Sequence, residues 1–401
     1  MRRATYVGAA LLAIIVLLLL VAPVWIGHSP YIMHLAITAY FYAILAASWS
    51  LLAGYAGQFS FAHMAFMSIG AYTAALYGTY IRITSVATEL CRELPFFGRY
   101  LVILDPVGVT QSGGQNCLDV AKQSMPAGST IVQPSIWWGI LFGILVGGIF
   151  GFLIGALVLR LRSTYLALFT IGFSEIIRAV ISAEIDVTQG QSGLEMTPLF
   201  PRGVTAFGAT FGAADKIPPY YVMLGLFLIV MVILGWMVVS RYGLFIRSIR
   251  EDEEAAAALG VHVVRYKVLV FTVTAMMAAA AGAVQGHYVG IITPNILIIL
   301  QMSLVIAMAV IGGLENIYAA AIGAILLLFS LELLRNSFDI GPVTVDMTTW
   351  RLVFFGLLLM VTLRFFRNGL IYPIIMKISR WGMDKETVSK RNAATSSESA
   401  G

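Results

Sequence analysis

The chain has 401 residues, of which 59% are hydrophobic and only 11% are charged. A soluble protein carries roughly a quarter charged residues, so this composition excludes a soluble globular protein and predicts an all-α polytopic membrane protein. The net charge of +5 fits the basic cytoplasmic face of such a protein and requires no nucleic acid.

About ten apolar segments are long enough to cross a bilayer, for which roughly 20 residues are needed. They cover residues 6–27, 31–53, 61–81, 135–159, 163–184, 219–240, 267–289, 295–314, 317–334 and 350–367. Arg2 and Arg3 before the first segment are typical of a signal peptide. The apolar run is too long for one and lacks a clear small-x-small cleavage site, so we predict a span.

A polar break separates the second and third spans, at Gly54-Tyr-Ala-Gly57-Gln58-Phe-Ser60-Phe-Ala-His63. Gln58, Ser60 and His63 are costly in lipid unless they face protein or water, and the glycines allow the helix to break. We predict that these three side chains line a translocation pathway. A short cytoplasmic turn is the alternative.

A second glycine break, Gly312-Gly313-Leu314-Glu315-Asn316, lies between the eighth and ninth spans. Paired breaks in the two halves of a chain are typical of a transport pathway at a repeat interface. A plain turn fits this second segment better.

The polar segment 82–134 follows the third span and contains both cysteines, Cys91 and Cys117. In an exported segment a disulfide between them is expected. Closing a loop of this length would contribute about 3 kcal/mol to the order of the segment. Two free thiols are the alternative.

Small residues recur at helical spacing in two spans. They are Gly143, Gly147, Gly151 and Gly155 in the fourth span, and Ala278, Gly282, Gly286 and Gly290 in and just after the seventh. Small residues let helix backbones approach closely in lipid, so the pattern predicts close helix packing within the subunit.

Glu175 and Arg178 lie in the middle of the fifth span at a spacing that pairs them on one helix face. An ion pair inside the membrane indicates a functional site, and we assign both residues to the translocation pathway. A structural tie between helices is the alternative. The segment 185–218 beyond this span is predicted to be exported.

Residues 241–267 form a densely charged island between two apolar spans. Ser248-x-x-Glu251 is typical of a capping box, and Gly260 stands where a helix would end in the left-handed conformation. The pattern predicts a rigid helix over 249–259 outside the lipid, which suits docking to a soluble partner. A solvated loop is the alternative.

With this island in the cytoplasm, ten spans place both termini there. Sixteen Lys and Arg residues then face the cytoplasm and eight face outside, as the positive-inside rule expects. The permease domain is predicted to cover residues 1–383, followed by a disordered cytoplasmic tail at 384–401.

Several motifs resemble those of known permeases. Glu254-Ala255-Ala256-x-x-x-Gly260 is similar to the coupling loop of ABC importer permeases, without the usual I-x-L-P continuation. The 54–63 segment resembles the G-x-x-G-Q-x-S-x-G-H signature of branched-chain amino acid permeases of the LivM type, with Ala62 in place of a glycine. Further matches extend the resemblance over about residues 31–367, except for the 82–134 insertion.

The resemblance implies an ABC importer permease fold in the cell inner membrane. It assigns contact with an ATPase to seven residues of the charged island: Arg250, Glu251, Asp252, Glu254, Ala255, Ala256 and Gly260. The implied partners are a second homologous permease, two ATP-binding cassette subunits and an exported substrate-binding protein.

The chain itself contains no P-loop and therefore depends on its partners for ATP hydrolysis. Its five histidines show no metal-ligand spacing, and we predict no catalytic residue, no metal site and no cofactor in this chain. Branched-chain amino acids are the default substrates of the family, but urea, short amides and aromatic acids are carried by related permeases.

Two other functions fit parts of the sequence. An ion- or proton-coupled secondary transporter would use Glu175 and Arg178 as a relay, but such a carrier needs no docking helix for an ATPase. A membrane assembly subunit without a transport pathway would not need the polar break at 58–63.

Overall fold

The computed structural model describes residues 16–80, 82–84, 92–96, 99–103, 131–132, 135–158, 163–201, 203–206, 209–335, 338–340, 343–345, 347–366 and 368–373. The predicted disulfide between Cys91 and Cys117 and the predicted tail at 384–401 lie outside the described residues.

Helices dominate the described part of the chain, as an all-α polytopic membrane protein requires. They are α1 (Val16–Ile26), α2 (Pro30–Trp49), α3 (His63–Tyr80), α4 (Ile136–Val158), α5 (Ser163–Ala183), α6 (Ile185–Thr188), α7 (Ile217–Val239), α8 (Arg241–Glu251), α9 (Glu253–Ala258), α10 (Val263–Val289), α11 (Ile299–Gly312), α12 (Ile317–Leu333) and α13 (Met347–Phe365). A π-helix (Ser50–Tyr55) continues α2, and 3-10 turns cover Gly190–Ser192 and Pro294–Leu297.

The second to tenth predicted spans each overlap a helix, and of the first span the described residues from 16 onward form α1. Five helical segments among the described residues are long and apolar enough to cross a membrane: Pro30–Tyr55, Ile136–Val158, Tyr165–Ala183, Ile217–Val239 and Val263–Val289. The pair α11 and α12 passes the same test only as one unit, bent by 117°. The number of ten crossings stays a prediction.

Helices α3, α4 and α10 form a closely packed group because small residues line their contacts. A Cβ atom added at Gly282 of α10 would lie 2.1 Å from the carbonyl oxygen of Met67 in α3. Added at Gly147 of α4, it would lie 2.4 Å from the Cβ of Ala279. The predicted small-residue faces are therefore packing surfaces inside the subunit, where backbones approach closely.

The contacts also fix the direction of these helices. Gly282 meets Met67, and four residues further on Gly286 lies beside Ala71, so α3 and α10 run parallel. Helix α10 begins just after α8 and α9, and we call this end of the bundle the coupling end. The opposite end, where α2 and α7 begin and α10 stops, is called the far end.

Helix α2 is the most buried of the spanning helices and packs against α7, α10, α11 and α12. The ring of Tyr40 stacks on Phe227 of α7 at a centroid distance of 5.5 Å. Its hydroxyl is 2.9 Å from the hydroxyl of Tyr220, so the pair is satisfied inside the protein.

Short strands lie at the far end, and the sequence did not predict them. Within the insertion, β1 (Arg82–Thr84), β2 (Arg92–Phe96), β3 (Arg99–Ile103) and β4 (Ile131–Val132) form an antiparallel sheet in the order β2-β3-β1-β4. Further antiparallel pairs join β5 (Leu194–Glu195) to β8 (Ile291–Ile292), β6 (Val204–Ala206) to β7 (Ala209–Phe211) and β9 (Phe338–Ile340) to β10 (Val343–Val345).

Replacing Gly282 with Ala should destabilise the bundle, because the new methyl group would overlap the Met67 carbonyl and force α3 and α10 apart. We expect a loss of about 1–3 kcal/mol, seen as a lower thermal unfolding midpoint of the purified protein in detergent. Gly225→Ala in α7 is the control, since its new Cβ would have nothing within 4 Å. Equal midpoints for the two variants would contradict this assignment.

Candidate functional site

The charged island forms two short helices with a break at Asp252, where the sequence predicted one helix over 249–259. Asp252 has extended backbone, and its Oδ1 accepts hydrogen bonds from the amides of Glu254 and Ala255, both at 3.0 Å. Asp252 is therefore the N-cap of α9, and the capping box at Ser248 is wrong. The Ser248 hydroxyl instead donates to the Phe245 carbonyl at 2.9 Å.

The N-cap is Asp252 and not Ser248 because Asp252 has a carboxylate side chain. An ionised Asp accepts stronger hydrogen bonds than a hydroxyl and also complements the positive end of the helix. Ser248 lies inside α8, where a serine hydroxyl bonds back to its own helix.

The predicted end at Gly260 is confirmed. Its φ is +85°, its amide donates to the Ala257 carbonyl at 2.9 Å, and the amide of Val261 donates to the Ala256 carbonyl at 3.1 Å. These two bonds close the last turn in the manner of a Schellman motif, in which a glycine carries the left-handed residue without a steric penalty.

Helix α9 presents an acidic, small-residue surface to solvent. Glu251, Asp252, Glu254, Ala255 and Gly260 are all exposed. The other exposed side chains are those of Glu253, of alanines and of Leu259, which is 85% exposed. A surface of this kind can enter a cleft on another protein.

A small separate core holds α9 against the subunit. Ala256 is buried with Ile249 of α8 and Val263 of α10, and Val261 and Tyr266 pack around them. Of the residues predicted for coupling, Ala256 therefore anchors the helix instead of facing outward.

A salt bridge adds a second attachment for α9. The Nζ of Lys267 lies 2.6 Å from a carboxylate oxygen of Glu253. Packing and this ion pair thus attach α9 to α8 and α10.

Arg250 is exposed, but its guanidinium group contacts other parts of the subunit. Its Nη2 lies 2.5 Å from Oε1 of Glu315, and its Nη1 donates to the carbonyl of Gly54. Arg250 thus connects α8 to both glycine breaks.

The two glycine breaks contact each other. Ser50 donates from its hydroxyl to the Leu314 carbonyl at 2.8 Å. A Cβ atom at Gly54 would lie 1.9 Å from the same oxygen. The sequence predicted both breaks, but it did not predict that they meet or that Glu315 receives Arg250.

Each break has its own local cause. The first consists of the π-helix and an extended stretch in which Gly57 has φ +66°, and π-helical turns often occur at functional sites. The second is a tight turn in which Gly313 has φ +140° and Asn316 caps α12. The second segment therefore has the geometry of a tight turn, as the turn interpretation expects.

The stretch after Gly57 runs into the interior, and its polar side chains are buried. Gln58, Ser60 and His63 are all less than 4% exposed. Trp49 Nε1 donates to the Ser60 carbonyl at 2.8 Å. Within the described residues, the side-chain amide of Gln58 and both ring nitrogens of His63 have no hydrogen-bond partner. These groups face protein instead of lipid, and none of them opens to a surface in this conformation.

The same stretch reaches the middle of α5. The amide of Phe61 donates to the Thr170 hydroxyl at 2.9 Å, and the Ser174 hydroxyl donates to the Phe61 carbonyl at 3.2 Å. Glu175 follows Ser174 and lines a small cleft together with Phe61. The structure thus brings the two groups of predicted pathway residues next to each other.

Glu175 and Arg178 form the predicted ion pair, with Nη2 and Oε2 2.8 Å apart. The Arg178 side chain is 34% exposed and that of Glu175 42%. Large apolar side chains of α5 are exposed on either side, including Leu168 and Ile176. A charged pair half-open on a spanning helix is costly against hydrocarbon, so this face requires protein or water as its neighbour.

A cavity of about 350 Å³ opens at the far end and was missed by the sequence analysis. Its lining includes His34, Asp215, Lys216, His287 and Tyr288. The sequence signal for it was weak, because these residues come from three distant segments. The one signal in the sequence is the charged pair Asp215-Lys216, which stands just before an apolar span.

Comparison with known proteins identifies a matching family over most of the chain and relatives over about half of it. Residues 31–363 match the family described as branched-chain amino acid transport system / permease component. The chain is 32% identical over 216 residues to the high-affinity branched-chain amino acid transport system permease protein LivM of Escherichia coli, which covers 48% of this chain and 51% of that protein. It is 30% identical over 220 residues to LivM of Salmonella typhimurium, with the same coverage.

A second permease protein is also similar. The permease protein LivH of Escherichia coli is 30% identical over 144 residues, which covers 36% of this chain and 46% of LivH. The chain thus spans about half the length of the curated relatives it matches. No solved structure matches it.

Removing Arg250 should cost more stability than removing Glu315. Their ion pair is partly exposed and contributes at most about 1 kcal/mol, which Glu315→Gln would lose. Arg250→Gln would also leave the Gly54 carbonyl without its donor, at a cost of about 1–3 kcal/mol. Thermal unfolding in detergent measures both, and Arg335→Gln, which breaks the far-end pair with Glu332, is the control. A larger effect of Glu315→Gln would contradict the contact with Gly54.

Proposed function

The chain belongs to the branched-chain amino acid transport system permease family, and from this membership we propose that it is a permease subunit of an ATP-driven importer. The chain forms half of a translocation pathway and hydrolyses no ATP itself. Branched-chain amino acids are the first substrates to test, because the related LivM and LivH proteins are named for their transport.

The observation that carries this proposal is the fixed, exposed helix α9. A chain that only had to connect two spans would need neither the Asp252 cap nor the small core around Ala256. A helix that receives force from an ATPase subunit needs both, because a loosely attached helix would move without moving the subunit. The acidic surface formed by Glu251, Asp252 and Glu254 suits a basic cleft.

The link through Arg250 explains how such a movement reaches the membrane interior. Closure of two ATPase subunits on ATP would shift α9 and α8 together. Arg250 would then pull on the Gly54 carbonyl and on Glu315, which lie in the two breaks. Non-regular segments change conformation at lower cost than continuous helices, so the movement is absorbed where the pathway is controlled.

The exposed face of α5 suits the position of a second, homologous permease. The pathway would lie between the two subunits, with Glu175 and Arg178 facing it and Gln58, Ser60 and His63 supporting its wall from behind. This arrangement supplies the protein or water that the half-exposed ion pair requires. Because Glu175 and Arg178 neutralise each other at 2.8 Å, they suit a fixed polar wall better than the proton relay of a secondary transporter.

The same reasoning sets the orientation. The coupling end faces the cytoplasm, where ATP is available to the partner subunits, and both termini lie on that side of the inner membrane. The far end is exported and receives substrate from a binding protein.

Replacing Glu254 with Lys should abolish ATP-driven uptake, because it reverses a charge on the exposed surface of α9 and leaves the membrane core unchanged. Uptake of labelled leucine into vesicles containing the complete transporter measures this, and we expect a loss of at least tenfold with normal insertion. Glu254→Asp, which keeps the negative charge at the same exposed position, is the control. Full uptake by the Glu254→Lys variant would remove α9 from the ATPase contact.

A cysteine at Gly172 should report the pathway, because Gly172 is exposed one turn before Glu175 and its Cβ position is open. In a chain with Cys91 and Cys117 replaced by Ser, a water-soluble thiol reagent should label it at a rate that changes between ATP-bound and nucleotide-free transporter. Gly225→Cys in α7, also open but without a nearby charge, should stay unlabelled. Labelling of Gly172→Cys that ignores nucleotide would place α5 away from the pathway.

A further inference from the structure

An apolar stripe on α7 leads to the coupling end of the molecule. Ile229, Val232, Trp236 and Val239 follow one another at helical spacing, and each residue is more than half exposed. Helix α7 is long and apolar enough to cross a membrane, so the bilayer is the medium that covers such a stripe. Trp236 lies in the last turn of α7, where tryptophan marks the membrane–water interface.

Aromatic rings continue from Trp236 across the coupling end. The centroid of the Trp236 ring lies 5.9 Å from that of Tyr242 in α8, and Tyr242 lies 6.2 Å from Tyr266 in α10. Phe245 completes the group, which we call the aromatic row, with its ring 5.1 Å from Tyr266. Tryptophan and tyrosine collect at the headgroup level of a bilayer because each combines an apolar ring with a polar group. The aromatic row therefore lies beside the lipid headgroups.

Two exposed arginines adjoin the aromatic row. Arg241 precedes Tyr242 at the start of α8, and Arg265 precedes Tyr266 near the start of α10. Within the described part of the chain, neither guanidinium group has an ion-pair or hydrogen-bond partner. Both groups therefore keep all their N–H donors for a ligand outside the subunit.

Arg265 faces away from the acidic surface of α9. Val263 and Lys267 contact α9, and each stands two residues from Arg265, which is about half a turn of an α-helix. Leu269, one turn further on, lies on the same side as Arg265 and is 37% exposed. The charge of Arg265 thus stands at the end of an exposed apolar face and is not neutralised by α9.

We infer that the aromatic row, Arg241 and Arg265 together form a binding surface for an anionic phospholipid at the coupling end. The headgroup phosphate accepts hydrogen bonds from the guanidinium groups, whose planar fork matches phosphate oxygens. The acyl chains lie along the stripe on α7. A choline lipid offers the same phosphate but adds a cation, which two unpaired arginines disfavour. The inference is independent of what the permease carries, because it requires only that this end lies at a membrane surface.

Quenching of tryptophan fluorescence tests this surface in the full-length chain reconstituted into phosphatidylcholine bilayers. Lipids with brominated acyl chains quench tryptophan on contact, and the contribution of Trp236 is the difference between the unaltered chain and Trp236→Phe. We expect brominated phosphatidylglycerol to quench this contribution at a mole fraction about tenfold lower than brominated phosphatidylcholine does, since each arginine near the surface favours anionic lipid.

Removing the two arginines should remove the preference. Arg241→Gln and Arg265→Gln should each lower the preference for phosphatidylglycerol about fivefold, and the double variant should show none. Arg247→Gln is the matched control, because it removes the same charge from α8 but Arg247 lies 4.9 Å from the ring centroid of Tyr55 and outside the aromatic row. Its preference should equal that of the unaltered chain.

Three results would overturn the lipid site. Equal quenching of Trp236 by both lipids, or no quenching by either, would mean that no anionic lipid binds beside α7. An equal loss of preference in Arg247→Gln would mean that the charge of the whole face attracts lipid. If Arg241→Gln and Arg265→Gln kept the preference and instead released the ATPase subunits from the assembled complex, the surface would be a protein contact.

Discussion

Inside a membrane, backbone groups that leave a helix need partners within the protein, and this constraint shapes the coupling end of the chain. Two helices are interrupted there, and each interruption supplies partners for the other. Leu314 accepts from Ser50, and Gly54 accepts from Arg250. Because Arg250 belongs to α8, this helix is part of the same network. The two breaks are therefore connected both to each other and to α8.

Close packing of α3, α4 and α10 limits where the chain can change conformation. Lipid chains are as apolar as leucine, so helices in a bilayer associate through contact between backbones instead of through the hydrophobic effect. The glycines of α4 and α10 let three helices touch with few intervening side chains. A group packed so tightly is expected to move as a unit. Conformational change is then easiest in the broken segments around Gly57 and Gly313, where helix geometry does not fix the backbone.

The sequence predicted the features that depend on local chemistry. Helix positions, the stop at Gly260, the two glycine breaks and the pairing of Glu175 with Arg178 all follow from composition and spacing along one segment. The N-cap predicted at Ser248 is wrong because α8 continues through Ser248 to Glu251, so the next helix begins only after Asp252. The contact of Arg250 with Glu315 and the far-end cavity join segments distant in sequence, which no local pattern encodes. The strands of the insertion have no clear alternation that would have predicted them.

Two helices connect the coupling end to the far-end cavity. Helix α10 carries Lys267 near its first turn and His287 near its last, and its 27 residues span about 40 Å. Helix α2 runs the opposite way, from His34 at the cavity to the π-helix at the break. A tilt of either helix therefore changes both ends together, with opposite displacement.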